Sequence, residues 1–234
     1  MYNDTFPSML AFGGFAVFFA LVVIVIILSI RAEQKRRESL WQLATQLGLD
    51  FYADDPLNID SRPDFQEAFS EGHSRRVSNV ISGRGDEWDL KAFDFHYKTG
   101  SGKSETSHSV SVILLDTEFF FPALTIRPEN ILDRIAGVVG YHDIDFESDE
   151  FSRKFFVRSQ DKRFAYGIIH AKVMEFLLKD PRWSLMLGWR SLILHDDSAL
   201  DAEGFRYAID LGRGFLKLIP DYLKQELRKT QETV

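Results

Sequence analysis

Ser107-His108-Ser109-Val110-Ser111-Val112-Ile113-Leu114 is the stretch whose reading decides the fold. In an extended chain His108, Val110, Val112 and Leu114 fall on one side and Ser107, Ser109 and Ser111 on the other. That alternation predicts a strand with one apolar and one wet face. Strand candidates flank it. Upstream, residues 76–82 end at Gly83-Arg84-Gly85-Asp86, and residues 88–98 carry Phe93, Phe95 and Tyr97 on one face. Downstream, residues 119–126 give a fourth strand. The short connections, among them the turn Thr99-Gly100-Ser101-Gly102-Lys103, predict an antiparallel meander.

Helical and shorter extended signals surround this meander. Leu40, Leu43, Ala44 and Leu47 recur at helical spacing within residues 32–47, and Gly48 stands where a helix would stop. Residues 49–52 predict a short strand, 54–64 a loop around Pro56 and Pro63, and 65–69 one helical turn. Residues 128–135 predict another helical turn, and 154–158 a strand. Residues 161–179 predict a helix, 183–195 a hairpin, and 202–229 a helix kinked at Pro220. The class is α+β: a mainly antiparallel sheet with helices packed on one face. Strands and helices do not alternate, which argues against a parallel nucleotide-binding sheet. The 21 Phe residues read as core.

Residues 9–30 contain no charged side chain. As a helix they span about 33 Å, against a hydrocarbon core of about 30 Å, which predicts a transmembrane helix. The preceding residues carry Asp4 and no Lys or Arg, and no small-x-small pattern follows, so the expectation is a retained anchor rather than a cleaved signal. Arg31, Lys35, Arg36 and Arg37 follow the run and put that end in the cytoplasm. The expected organisation is a short extracytoplasmic N-terminus (1–8), a single transmembrane helix (9–30), a juxtamembrane helix (31–48) and a cytoplasmic α+β domain (49–234). Its expected place is the plasma (inner) membrane. Gly13, Ala16 and Ala20 share a helix face that suits close packing of helices in lipid.

Composition narrows the chemistry. Apolar residues make up 45% and charged residues 27% of the 234 positions, a globular balance. The absence of cysteine excludes disulfides, thiolate metal sites and a cysteine nucleophile. A net charge of −7 does not suit a nucleic-acid binder, so nucleic acid is not an expected partner. The partners expected are the bilayer, through residues 9–30, and a protein of unknown identity.

Several motifs point to chemistry without completing it. Gly100-Ser101-Gly102-Lys103-Ser104 resembles the end of a phosphate-binding loop, but the first glycine of that motif would fall at Tyr97 and a strand follows instead of a helix. His142, Asp143, Asp145, Glu147, Asp149 and Glu150 form an acidic run. Counted from Asp143, it has Ser148 and Phe155 where a calcium loop needs Gly and Glu. Metal-ligand candidates are therefore Asp143, Asp145 and Glu147, or His96 and His108 facing each other across the 99–104 turn, with no third ligand identified. His73, Arg75, Arg76 and Arg84 form a basic patch able to hold an anion or a partner's carboxylate. His195-Asp196-Asp197 has the order of an oriented base at a strand end. No catalytic residue is assigned and no cofactor is expected.

Gly72-His73-Ser74-Arg75 with Val77-Ser78-Asn79-Val80, the 99–103 turn, Arg127-Pro128-Glu129-Asn130, and Gly140-Tyr141-His142-Asp143-Ile144-Asp145-Phe146 with Phe151-Ser152 carry a resemblance. These blocks, spread over about residues 40–220, resemble an uncharacterised family of membrane-anchored bacterial proteins with no assigned activity. Asp94-Phe95-His96-Tyr97 departs from the family's D-Y-x-Y pattern conservatively. The resemblance implies a bacterial source and a shared domain, and supplies no catalytic residues. The functional expectation is a membrane-tethered, non-catalytic module that binds a protein partner or serves a membrane complex. The alternatives are a membrane-bound hydrolase or metal-dependent enzyme, and a small-molecule sensor with a pocket between the sheet and the C-terminal helix.

Overall fold

The structure, a computed structural model, describes residues 6–70, 72–85, 87–129, 144 and 146–232, with side chains described between 18 and 230. The chain divides into two compact units, Met1–Ser39 and Leu40–Val234. Helix α1 covers Phe6–Leu47 and ends at Gly48, whose φ of 68° is the left-handed turn that glycine adopts without strain. The Gly48 and Leu49 amides close the helix end on the Thr45 and Ala44 carbonyls. Within the first unit the described apolar side chains, from Phe18 to Ile30, are exposed. Among the described residues no helix is long and apolar enough to cross a membrane. Gly13 and Ala16 of the expected packing face lie outside the described side chains, and Ala20 is exposed.

The second unit is α+β with an antiparallel sheet. Its strands are β1 (Asp50–Tyr52), β2 (His73–Arg84), β3 (Asp89–Thr99), β4 (Thr106–Pro128), β5 (Phe155–Ser159) and β6 (Ser184–His195). The first four form a meander in the order β1-β2-β3-β4, and β5 and β6 both pair with β4. The expected strands 107–114 and 119–126 are one 23-residue strand. β3 pairs with its Thr106–Asp116 half and β5 with Leu124–Pro128, while β6 pairs along both halves. Since a strand has two edges, β3 and β5 share the edge opposite β6. The register of β4 and β6 shifts on either side of Phe121, opposite Trp189, whose φ is 52°. This bulge explains two corrections. It reads in sequence as a strand break in β4, and as a hairpin in residues 183–195, yet both chains continue through it.

The helices of this unit are α2 (Pro63–Ala68), α3 (Asp149–Lys154), α4 (Lys162–Ile168), α5 (Ala171–Leu178), α6 (Ala202–Lys217) and α7 (Asp221–Glu232). Ser148, Asp161 and Asp201 cap α3, α4 and α6 by accepting the amides of Phe151, Phe164 and Gly204. The single helix expected over 161–179 is instead α4 and α5. The chain is extended at His170, whose Nε2 donates to the Leu218 carbonyl at 3.0 Å. At Pro220 the expected kink is a full break between α6 and α7. Pro128, expected to open a helical turn over 128–135, instead ends β4; residues 130–135 and, of the acidic run, His142, Asp143 and Asp145 fall outside the described residues, while Asp149 and Glu150 open α3.

Two cores result, one on each face of the sheet. The larger joins Leu40, Leu43 and Ala44 of α1 and helices α3 to α7 to sheet residues such as Ile81, Ala92, Ile113 and Leu194. α6 lies close, since a Cβ on Gly212 would come within 3.0 Å of Leu115 Cδ1. The smaller core joins Ile59 and Phe65 to Val77, Val80, Phe93, Phe95, Val110, Val112, Leu114 and Ile193. The helices are thus not confined to one face: α2 covers the other. Phe65 meets Phe93 and Phe95 edge-on, at 5.4 and 4.9 Å between ring centroids.

Candidate functional site

The face covered by α2 carries a network of charges. Arg62, just before α2, sets its Nε and Nη2 against the two oxygens of Asp64, at 3.0 and 2.7 Å. The same guanidinium reaches both oxygens of Asp116 in β4, at 2.6 and 3.3 Å. Lys91 of β3 also donates to Asp116, and Ser191 of β6 donates to Asp64 at 2.7 Å. Burial opposes the charge on Asp64, but the hydrogen bonds from Arg62 and Ser191 outweigh it and hold the carboxyl below its usual range. Burial likewise opposes the charge on Arg62, and its bonds to Asp64 and Asp116 overcome it, so its pKa is raised. The network ties α2 to three strands. Nothing in the charge pattern of the sequence marked it, because its members lie up to 127 positions apart.

On the opposite face Asp94, 1% exposed, accepts from Asn79 Nδ2 at 2.8 Å and Ser111 Oγ at 2.7 Å. Ser111 Oγ in turn accepts the Leu200 amide at 2.9 Å. The serine side of β4, read as wet, is therefore dry at Ser111. The position of Asn79 depends on a bulge in β2, where its φ is 52°.

The basic patch does not act as one site. His73 faces the Gly100 carbonyl at 3.2 Å and Glu105 at 3.8 Å. Arg76 pairs with Asp54 at 3.0 Å, and Arg84 lies 3.9 Å from Asp89. Arg75 differs. A second bulge in β2, between His73 and Arg76 with Ser74 at φ 53°, turns it over the Phe95 ring at 5.6 Å. Its Nε and Nη2 are shielded from solvent and have no acceptor among the described residues.

The histidines are kept apart. In the β3–β4 register His96 pairs with Ser109 and His108 with Tyr97, so the two side chains point to opposite faces instead of toward each other. His96 bonds Ser78 at 3.0 Å, whereas His108 bonds Thr99 at 2.7 Å and stacks on Tyr97. Among the described residues no group of three or more His, Asp or Glu is placed to hold a metal ion. Glu147 is exposed, and His142, Asp143 and Asp145 lie outside the described residues. His195 packs on Phe69, 5.0 Å between ring centroids, with Nδ1 buried. Burial lowers its pKa against the opposing pull of Asp197 and Asp196, and its ring belongs to the aromatic cluster around Phe69.

A groove of about 920 Å³ lies between the bulge of β4, α4 and α7. Phe120, Phe121, Phe164, Leu223 and Leu227 line it, and Arg163 pairs with Glu226 across it at 3.2 Å. Trp189 stands beside Phe120, at 5.8 Å between ring centroids, and donates to Glu67 at 3.1 Å. The sensor alternative expected a pocket between the sheet and the C-terminal helix, and the groove lies there, but its lining residues carry no local sequence signal because it forms where the bulge meets helices distant in the chain.

No family model and no curated protein matches the chain. Among solved structures it is similar to the crystal structure of the mycobacterial trehalose monomycolate transport factor A, TtfA. The TM-score is 0.55 at 11% identity, over 79% of this chain and 96% of that one. At that identity the likeness is one of fold.

Proposed function

We propose that this chain is a membrane-tethered, non-catalytic module whose α+β unit binds a protein partner as an accessory of a bacterial membrane complex. The observation that carries this reading is the exposed run of α1. From Phe18 to Ile30 it offers large apolar side chains, 64% exposed at Phe18 and 51% at Ile26, with no charge among them. A water-facing helix would present a polar face there. The hydroxyl of Ser29 is turned back onto the Val25 carbonyl at 2.9 Å, as hydrocarbon requires of a polar group. The uncharged sequence extends back to Met9, and the basic residues after Ile30 put the α+β unit in the cytoplasm with the N-terminus outside. The likeness in fold to a transport factor supports an accessory role in transport.

The test is affinity purification of the full chain from its native membrane, with protease protection of a C-terminal tag. Recovery in the membrane fraction, a protected tag in sealed inside-out-negative cells and a stoichiometric co-purifying protein are the expected results. A chain found in the soluble fraction, or purifying alone, contradicts the reading.

A second reading has its own observation. The apolar groove beside the C-terminal helix α7 has the size and lining of a site for a lipophilic small molecule. A module that senses or carries such a molecule would keep it through purification. Native mass spectrometry of the detergent-purified chain would then show an added mass that Gly167→Phe removes.

A further inference from the structure

We infer that Arg75 is a receptor for a carboxylate that does not belong to this chain, gripped side-on by its Nε and Nη2. This inference stands on the geometry of the α2-covered face and does not depend on the tethered reading.

The guide is within the molecule. Arg62 holds Asp64 with Nε and Nη2, the two nitrogens that point the same way and match the spacing of a carboxylate's oxygens. Arg75 carries the same edge. Its Nε and Nη2 are both shielded from water and have no acceptor, so a cationic fork has lost its hydration without a replacement. Three features show that this placement is built. Ser74 accepts a left-handed backbone, unusual for a residue with a Cβ, and the resulting bulge aims Arg75 at the sheet face. Phe95 lies under the guanidinium at 5.6 Å and is itself fixed between Phe65, Phe69 and Tyr97. The neighbouring bases are committed elsewhere: Arg76 to Asp54, and His73 to Gly100. A planar cation on an aromatic ring with one free edge suits a planar carboxylate better than a diffuse anion, which any exposed lysine could attract.

The test is an acetate titration of the full chain in detergent, at constant ionic strength against chloride, followed by NMR of ¹⁵N-labelled arginine side chains. A saturable shift of the Arg75 Nε–H signal is expected, with linear or absent responses at Arg76 and Arg84. Arg75→Lys keeps the charge, lacks the fork and should weaken the affinity about tenfold or more. The acetyl amide of glutamate replaces acetate in a second arm. Tighter binding of that compound identifies a protein side chain as the source; equal binding identifies a free carboxylate. A response at Arg75 no more saturable than at Arg76 overturns the inference. So does saturation that appears only in Glu71→Gln, which would mean that the chain's own Glu71 fills the fork.

Discussion

On the sheet face under α2, Arg62 and Arg75 present the same guanidinium edge to different surroundings. Arg62 meets Asp64 two residues on and Asp116 across the sheet, with Lys91 and Ser191 completing the set. Arg75 is aimed by the β2 bulge onto Phe95 and meets no acceptor with that edge. The first arrangement is a staple. It satisfies every charge from within and fixes a six-residue helix that could not hold its place by itself. The second leaves a directional, desolvated donor pair, which opposes folding and becomes favourable when an acceptor arrives. Within one face, then, a complete set of partners marks a structural arginine and an incomplete one marks a binding arginine.

The comparison breaks most severely at Asp64. Asp64→Ala removes the acceptor of Arg62, Ser191 and the Phe65 amide together, and should cost about 3–5 kcal/mol in urea unfolding of the full chain. Acid gives the next effect, and its sign follows from linkage. Asp64 has a folded pKa below its ordinary value of 3.8, so its contribution is complete above that pH and is lost as pH falls through the folded value. His195 acts in a different window. Its folded pKa lies below 6.5, so the unfolded chain takes up the proton first and stability declines as pH drops below 6.5. Unfolding midpoints measured from pH 7 to pH 3 should show both declines, with His195→Phe removing the upper and Asp64→Asn the lower. Ser191→Ala, which removes one hydrogen bond while leaving the Arg62 pair, should cost about 1 kcal/mol. The smallest effect belongs to Arg76→Ala. Its pair with Asp54 is 66% and 81% exposed, and the loss should stay below about 0.5 kcal/mol, vanishing in high salt.

Much of the fold was legible because periodicity reports burial. The alternation in residues 107–114, the turn at Gly100 and the stop at Gly48 mark elements that are present. The bulge was not legible. Residues 115–118 read as a break between two strands and residues 183–195 as a hairpin, since a local pattern does not record that two long strands deviate together and continue. His170 hid the break between α4 and α5 for a similar reason, as its partner is the Leu218 carbonyl 48 positions away. At the candidate site the sequence grouped His73, Arg75, Arg76 and Arg84 by proximity. It carried no sign that three have partners and one does not, because those partners are set by the register of β2, β3 and the loop before α2. Arg62-Pro63-Asp64 read as the end of a loop, neither as the start of α2 nor as the centre of a charge network.

Arg62→Met and Arg75→Met, compared by urea unfolding of the full chain, test the distinction most directly. Methionine keeps the packing of the side-chain stem in both. The account predicts that Arg62→Met loses about 3 kcal/mol, because Asp64 is left without its cation and Asp116 keeps only Lys91. It predicts that Arg75→Met is level with the parent or more stable by about 1 kcal/mol, since relief of a desolvated, unpartnered fork offsets the lost contact with Phe95. A loss at Arg75 equal to that at Arg62 would contradict the account, because it would mean that the Arg75 edge is already engaged within the folded chain.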